Sequence, residues 1–333
     1  MRGLRGILLL VAAVPVSLAL MAEATATSEP EPPIEEVVVT GSQPGPGLWR
    51  VTRPADGHVL WILGSYGPLP KKFQWRSIEL EGVLEGSAEL IAPVSVKTEV
   101  GPLGGVTLLP SLIGVRRNPG DERLQDLLPP DLYVRWLRLK ERYIGRDDGV
   151  EDWRPIFAAQ KLYEEAIRKS GFEPRGVIWP KVEKLAKRAD VRITRPEVAF
   201  KVTKPRAAIK EFKREPLDDI ECFTRTIERL ESDLDVMKDR AQAWATGDVA
   251  RLRALAPVDN ASACIAVVLN AQFMRERGIS DLPARYEAAW LTAVEDALSR
   301  NASSVAVLGI EQILKPDGYV ARLRAKGYVV EDP

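Results

Sequence analysis

The sequence predicts an α+β protein: a mixed central sheet built from the N- and C-terminal segments, with a large helical middle region covering it. Two observations carry that reading. Strand-like apolar runs lie between Leu48 and Val96 and again between Ser304 and Val330, at opposite ends of the chain. Between them, over about residues 130 to 300, apolar residues recur at three- and four-residue spacing, the signature of amphipathic helices. The 333 residues are 45% hydrophobic and 28% charged, enough apolar chain for a sizeable core in a globular protein.

The elements follow in order. Arg2 and Arg5 precede an apolar run from Ile7 to Leu20, and small residues at 22, 24 and 26 fit cleavage near Ala24 or Ala26. This predicts a Sec-type signal peptide over residues 1–24 and a periplasmic or secreted protein. Residues 25–47 are rich in proline and glutamate, with the β-prone run Val37 to Val39 inside, and are expected to form a disordered linker. A single domain is expected over residues 48–333. Leu48–Thr52 and His58–Leu63 flank a Pro54-Ala55-Asp56-Gly57 turn and read as a hairpin. A helix is expected over Trp75–Glu85, a strand over Ala88–Val96, and a glycine- and proline-rich loop over residues 101–120. Leu132–Ile144, Trp153–Lys169 and Val177–Arg188 read as helices, and Val191–Val202 as extended chain. Asp218–Ala245 carries the longest helical pattern, with Ile220, Phe223, Ile227, Leu230, Leu234, Met237, Ala241 and Trp244 on one face. Gly247 ends it and Asp248 is placed to cap the next helix. Two further helices, Ser262–Arg275 and Leu282–Ser299, lead to strand Ser304–Leu308, helix Asp317–Ala325, a Gly327 cap and strand Tyr328–Val330.

Composition narrows the chemistry. Lys plus Arg equals Asp plus Glu at 47 each, so no global charge draws the chain to nucleic acid. Residues 175–214 hold 13 basic and 4 acidic side chains, and residues 215–239 hold 9 acidic and 3 basic. Such runs read as solvated faces that attract each other, the alternative being an anion-binding surface around Lys201, Lys204 and Arg206. The single histidine, His58, excludes any mechanism that needs two imidazoles from one chain. It opens the second strand, about nine residues before Gly67, and a strand advances roughly 3.3 Å per residue. A structural role is therefore expected for it. No phosphate loop or dinucleotide fingerprint occurs, no cofactor is expected, and no later run is long enough to span a membrane. Two cysteines, Cys222 and Cys264, are too few for a multi-cysteine zinc site. In an exported protein they are expected to pair, closing a loop worth roughly 4 kcal/mol in the chain-entropy model.

Three segments together resemble the TraB/GumN family, to which the Tiki metalloproteases are related. They are Leu48-Trp49-Arg50-Val51 with Trp61-Ile62-Leu63-Gly64-Ser65-Tyr66-Gly67; Ala243-Trp244-Ala245-Thr246-Gly247-Asp248; and Val305 to Gln312 with Pro316-Asp317-Gly318 and Leu323 to Tyr328. The resemblance implies metal-dependent peptidase chemistry, in which two imidazoles and a carboxylate hold a divalent ion and polarise water. Against it, this chain has Gly67 and Gln312 where the family has histidines, and Ala92 or Pro93 where it has a glutamate. The family's Arg-Asn pair falls on Arg285-Tyr286. Glycine supplies no ligand and glutamine a poor one for a transition metal.

The expected function is therefore a non-catalytic binding or interaction protein of the bacterial cell envelope, holding no metal and engaging an unknown protein or small ligand. Its pocket candidates are the family motif positions Gly64, Ser65, Gly67, Arg285, Gly309, Glu311 and Gln312. The rival expectation is a peptidase or other hydrolase with a rearranged site around Ser65, Glu311, Gln312 and Arg285. Asp218, Asp219 and Glu221 read as the first turn of the long helix, where negative charge suits the dipole.

Overall fold

The computed structural model describes residues 44–99, 104–201, 204–256, 261–277, 279 and 281–333. The expected signal peptide and nearly all of the linker lie outside the described residues. The chain opens with strands β1 (Leu48–Thr52), β2 (Val59–Ser65) and β3 (Leu69–Pro70), helix α1 (Ile78–Glu85), and strands β4 (Glu89–Ile91) and β5 (Ser95–Glu99). Helices α2 (Gly104–Leu112), α3 (Leu124–Leu127), α4 (Pro130–Tyr143) and α5 (Pro155–Lys169) follow. Next come β6 (Phe172–Glu173), α6 (Ile178–Arg188), β7 (Arg192–Thr194), β8 (Glu197–Lys201) and α7 (Pro205–Arg214). Six more helices run in succession: α8 (Ile220–Ser232), α9 (Met237–Ala245), α10 (Val249–Ala254), α11 (Ala261–Asn270), α12 (Gln272–Arg275) and α13 (Leu282–Arg300). The chain closes with β9 (Ser303–Gly309), α14 (Ile310–Leu314), α15 (Tyr319–Ala325) and β10 (Val329–Glu331).

The fold is α+β, with a mixed six-stranded sheet in the order β10-β1-β2-β9-β4-β7. The hairpin β1–β2 and the β10–β1 pair are antiparallel, whereas β2, β9, β4 and β7 run parallel. Strand β9, from the C-terminal segment, occupies the middle of the sheet. Its run from Ser304 to Leu308 is buried throughout, as a strand covered on both faces requires. The sixth strand, β7, comes from the helical middle rather than from either end. The expected Ala88–Val96 strand divides in two: β4 joins the main sheet, and β5 pairs with β8 in a separate two-stranded ribbon. The helical middle has its own core, centred on Trp136, Leu162, Phe223 and Ile227, distinct from the core around the sheet.

Other expectations change as well, and the expected Ser262–Arg275 helix breaks at Ala271 into α11 and α12. The helical pattern from Asp218 to Ala245 is interrupted by a turn at Asp233 to Val236, giving α8 and α9. The apolar spacing runs unbroken through the turn because Leu230, Leu234 and Met237 all pack inward, so periodicity alone could not show the break. Residues 101–120 are not all loop, since α2 forms there and packs against α7. Gly114 and Gly120 still make turns at positive φ. The caps form where the sequence places them: Asp248 Oδ1 accepts the Arg251 N–H at 2.9 Å. Gly247 and Gly327 end α9 and α15 at φ +69° and +92°.

Candidate functional site

Three neighbouring parallel strands end side by side. β2 and β9 are in register to their last residues, with Gly64 opposite Leu308 and Ser65 opposite Gly309. β4 pairs with β9 on its other side and ends at Ile91, opposite Ala306. The segments leaving these strands therefore carry Gly67, Gln312 and the Ala92-Pro93 pair to one edge of the sheet. In open parallel sheets, ligands bind beyond the carboxyl ends of the strands.

Close packing fixes this edge. A Cβ on Gly64 would lie 2.5 Å from Ile310 Cδ1 and 3.3 Å from Ile313 and Trp49, so a side chain there forces the buried Ile310 of α14 to shift. The buried Trp244 Nε1 donates to the Gly64 carbonyl at 2.7 Å, tying the end of α9 to β2. Trp75 packs edge-on against Trp244, with ring centroids 5.4 Å apart. Gly247 completes the joint, where an added Cβ would meet the Gly47 backbone nitrogen at 3.1 Å. Gly67 is different. It is exposed, with nothing near a Cβ built there.

Beside this edge lies a cavity of about 320 Å³ between the β2–β9 ends and the helices α8 to α11. Glu311 and Gln312 line it from α14, and Leu252, Ile310 and Leu314 give it apolar walls. The remaining lining includes Tyr66, Arg229 and Arg240, which sequence reasoning did not single out. Arg240 and Arg229 are 1% and 7% exposed, and both pair with Asp233, itself 4% exposed. The Asp233 turn is thus also the electrostatic knot of the cavity. The signal was present in the sequence: Arg229, Asp233 and Arg240 flank the apolar stripe at spacings of four and seven. Burial pushes the Tyr66 phenol above its ordinary value, while neighbouring Arg240 pulls it back.

The other singled-out residues are placed as follows. Ser65 and Gly309 end β2 and β9. Arg285 lies on α13 and donates to the Ala199 carbonyl of β8 at 2.7 Å, outside the cavity lining. Cys222 and Cys264 form a disulfide that joins α8 to α11. His58 stands at the far end of β2, with Nδ1 2.8 Å from the Leu298 carbonyl. Asp219 does more than start its own helix: its buried Oδ2 accepts the Ile156 N–H at 2.9 Å and so caps α5. The basic and acidic runs are partly cross-linked into other elements, as in Arg277–Glu211 and Arg135–Glu231. Arg206 is partnered within the fold.

A buried carboxylate not anticipated from the sequence, Glu89, opens β4 at the opposite edge of the sheet. Burial alone would raise its pKa, but hydrogen bonds from Thr194, Arg192 and Asn301 outweigh it and lower the value. Among the described residues, no three His, Cys, Asp or Glu side chains gather in a group that could hold a metal ion.

These features define an α+β protein with a cavity at the carboxyl edge of a parallel sheet segment, roofed by helices. Residues 47–332 match the TraB/PrgY/gumN family, and the chain belongs to that family. No curated protein and no solved structure matches it.

Proposed function

We propose that the protein is a non-catalytic, ligand-binding member of the family in the bacterial cell envelope, with the cavity beyond the β2 and β9 ends as its binding site. The carrying observation is the donor set at the sheet edge. The three positions where the family's peptidase chemistry takes two imidazoles and a carboxylate hold Gly67, Gln312 and Ala92 or Pro93, with at most one weak oxygen donor among them. A lined cavity stays beside them. The leader pattern and the Cys222–Cys264 bond support export, since disulfides persist in oxidising compartments. No helix among the described residues is long and apolar enough to cross a membrane. On this reading residues 1–24 are a removed leader, residues 25–47 a linker, and the remainder one domain with a helical insert over about residues 130–300.

One observation favours a second reading, a hydrolase with a rearranged site: Glu311 and Gln312 share the cavity. Ser65 and Arg285, the other two members of that constellation, do not line it. The test is a peptide-library assay of the mature chain with added manganese, cobalt or zinc, alongside elemental analysis of protein purified without chelator. We expect no turnover above background and no stoichiometric transition metal. Turnover that a chelator abolishes, or that Glu311→Gln abolishes, would replace the binding reading with the hydrolytic one.

A further inference from the structure

Arg240 is almost wholly enclosed, yet the protein does not consume its hydrogen-bonding capacity. It is 1% exposed and lines the cavity. Nη2 forms an ion pair with Asp233, but Nε and Nη1 have no hydrogen-bond partner. The Tyr66 hydroxyl, also buried and lining the cavity, has no partner besides the neighbouring Arg240 guanidinium. A guanidinium carries five N–H donors, and a buried donor left unmet loses its hydration with nothing in return.

The fold can satisfy a buried arginine when that residue only holds structure together. Arg154, equally enclosed, donates from Nε to Arg117, from Nη1 to Glu215 and from Nη2 to Phe212, all to backbone carbonyls. Arg240 therefore differs from Arg154 in what its donors face, not in depth. The lining is also rich in cationic groups. Arg229 and Arg240 share one carboxylate, Asp233, with Arg229 Nε 3.4 Å from it. Lys315 and Glu311 lie on the same wall, and Arg253 at the rim pairs with Asp332.

Resting on the reading of this cavity as a binding site, we infer that it takes a small organic anion. A carboxylate or phosphate group would seat between Arg240 and Tyr66, and an apolar body would lie along Leu252, Ile310 and Leu314. Planar, charge-assisted recognition of oxyanions is the task to which a guanidinium is best suited. A volume of about 320 Å³ sets the size class, at the small end of ligand sites.

The experiment is calorimetric titration of the mature, disulfide-intact chain with hexanoate and hexyl phosphate, with hexanol and hexylamine as controls. The expected result is saturable binding of at least one anion and of neither control. Arg240→Lys, which keeps the charge but loses the planar fork, should weaken binding about tenfold. Tyr66→Phe, which keeps the ring and its packing, should weaken it about fivefold. Binding of neither anion, or binding that both folded variants retain at full strength, would overturn the inference. If Arg240→Lys fails to fold, Tyr66→Phe alone decides. Loss of the anion inference without peptide turnover removes only the ligand class, whereas chelator-sensitive turnover removes the binding reading itself.

Discussion

Single atoms set the sharpest constraints at the sheet edge, and two glycines three residues apart show it. Gly64→Ala places a methyl group against Ile310 and should destabilise the fold by about 1–3 kcal/mol in urea melts. Gly67→His meets open space and should lie within about 0.5 kcal/mol of the parent. Equal losses at the two positions would contradict this account of the edge. Buried carboxylates add a pH signature. Burial pushes the Asp219 carboxyl up to about 6, against the pull of the Ile156 N–H and Arg154. The folded chain then holds this proton more tightly than the unfolded chain. The group's stabilising contribution is full below the unfolded carboxylate range and is lost as pH rises through about 6. Asp219→Asn should remove that loss, so its stability relative to the parent should rise by up to about 3 kcal/mol between pH 4 and pH 7. A difference that does not change with pH would refute the assignment. Glu89 acts in the opposite sense. Its lowered value stabilises the fold above the ordinary carboxylate range, and that contribution is lost as acid protonates it.

At the scale of elements, the cavity depends on two joints. The first is the indole of Trp244 on the Gly64 carbonyl, which holds α9 to β2. Trp244→Phe keeps most of the packing but leaves that buried carbonyl unmet, and should cost about 1–3 kcal/mol in denaturant unfolding. The second is the disulfide. It fixes α11, whose Ile265 is 54% exposed, to the buried Cys222 of α8. α11 has little burial of its own, so the covalent link is its main anchor. Replacing both cysteines by serine should lower stability by roughly 4 kcal/mol in the chain-entropy model. Free-thiol counting on denatured, unreduced protein should find none, and two titratable thiols would end the argument. The α8–α9 break shows why such joints escape a periodicity argument. The turn keeps its apolar residues in phase, and what makes it a corner is Asp233 meeting Arg229 and Arg240 in three dimensions.

For the whole molecule, the decisive fact is that a strand from near the end of the chain, β9, sits at the centre of the sheet. β9 separates β2 from β4, so removing residues 303–333 should leave no cooperative unfolding transition by near-ultraviolet circular dichroism. A folded remnant would show that the N-terminal strands pair without it. Much of this arrangement was legible from sequence. Apolar runs at both ends gave the strands, three- and four-residue spacing gave the helices, and Gly247-Asp248 and Gly327 gave the caps. The ordered motifs from Leu48 to Tyr328 gave the family. All of these are local patterns, because backbone geometry repeats every two residues in a strand and every 3.6 in a helix. What the sequence could not show is long-range. β7 joined the sheet from the helical region, and β5 left it for β8. Glu89 found its partners at Arg192, Thr194 and Asn301, and Tyr66 came to lie against Arg240. The charges around Arg240 looked like the flank of one amphipathic helix, in an acid-rich stretch with no sign of anion recognition. Sequence by itself determined which elements form and to which family the chain belongs, since those follow from local periodicity and ordered motifs. Only the tertiary structure decided where the cavity lies and which charges are taken out of water, because burial depends on residues far apart in the chain.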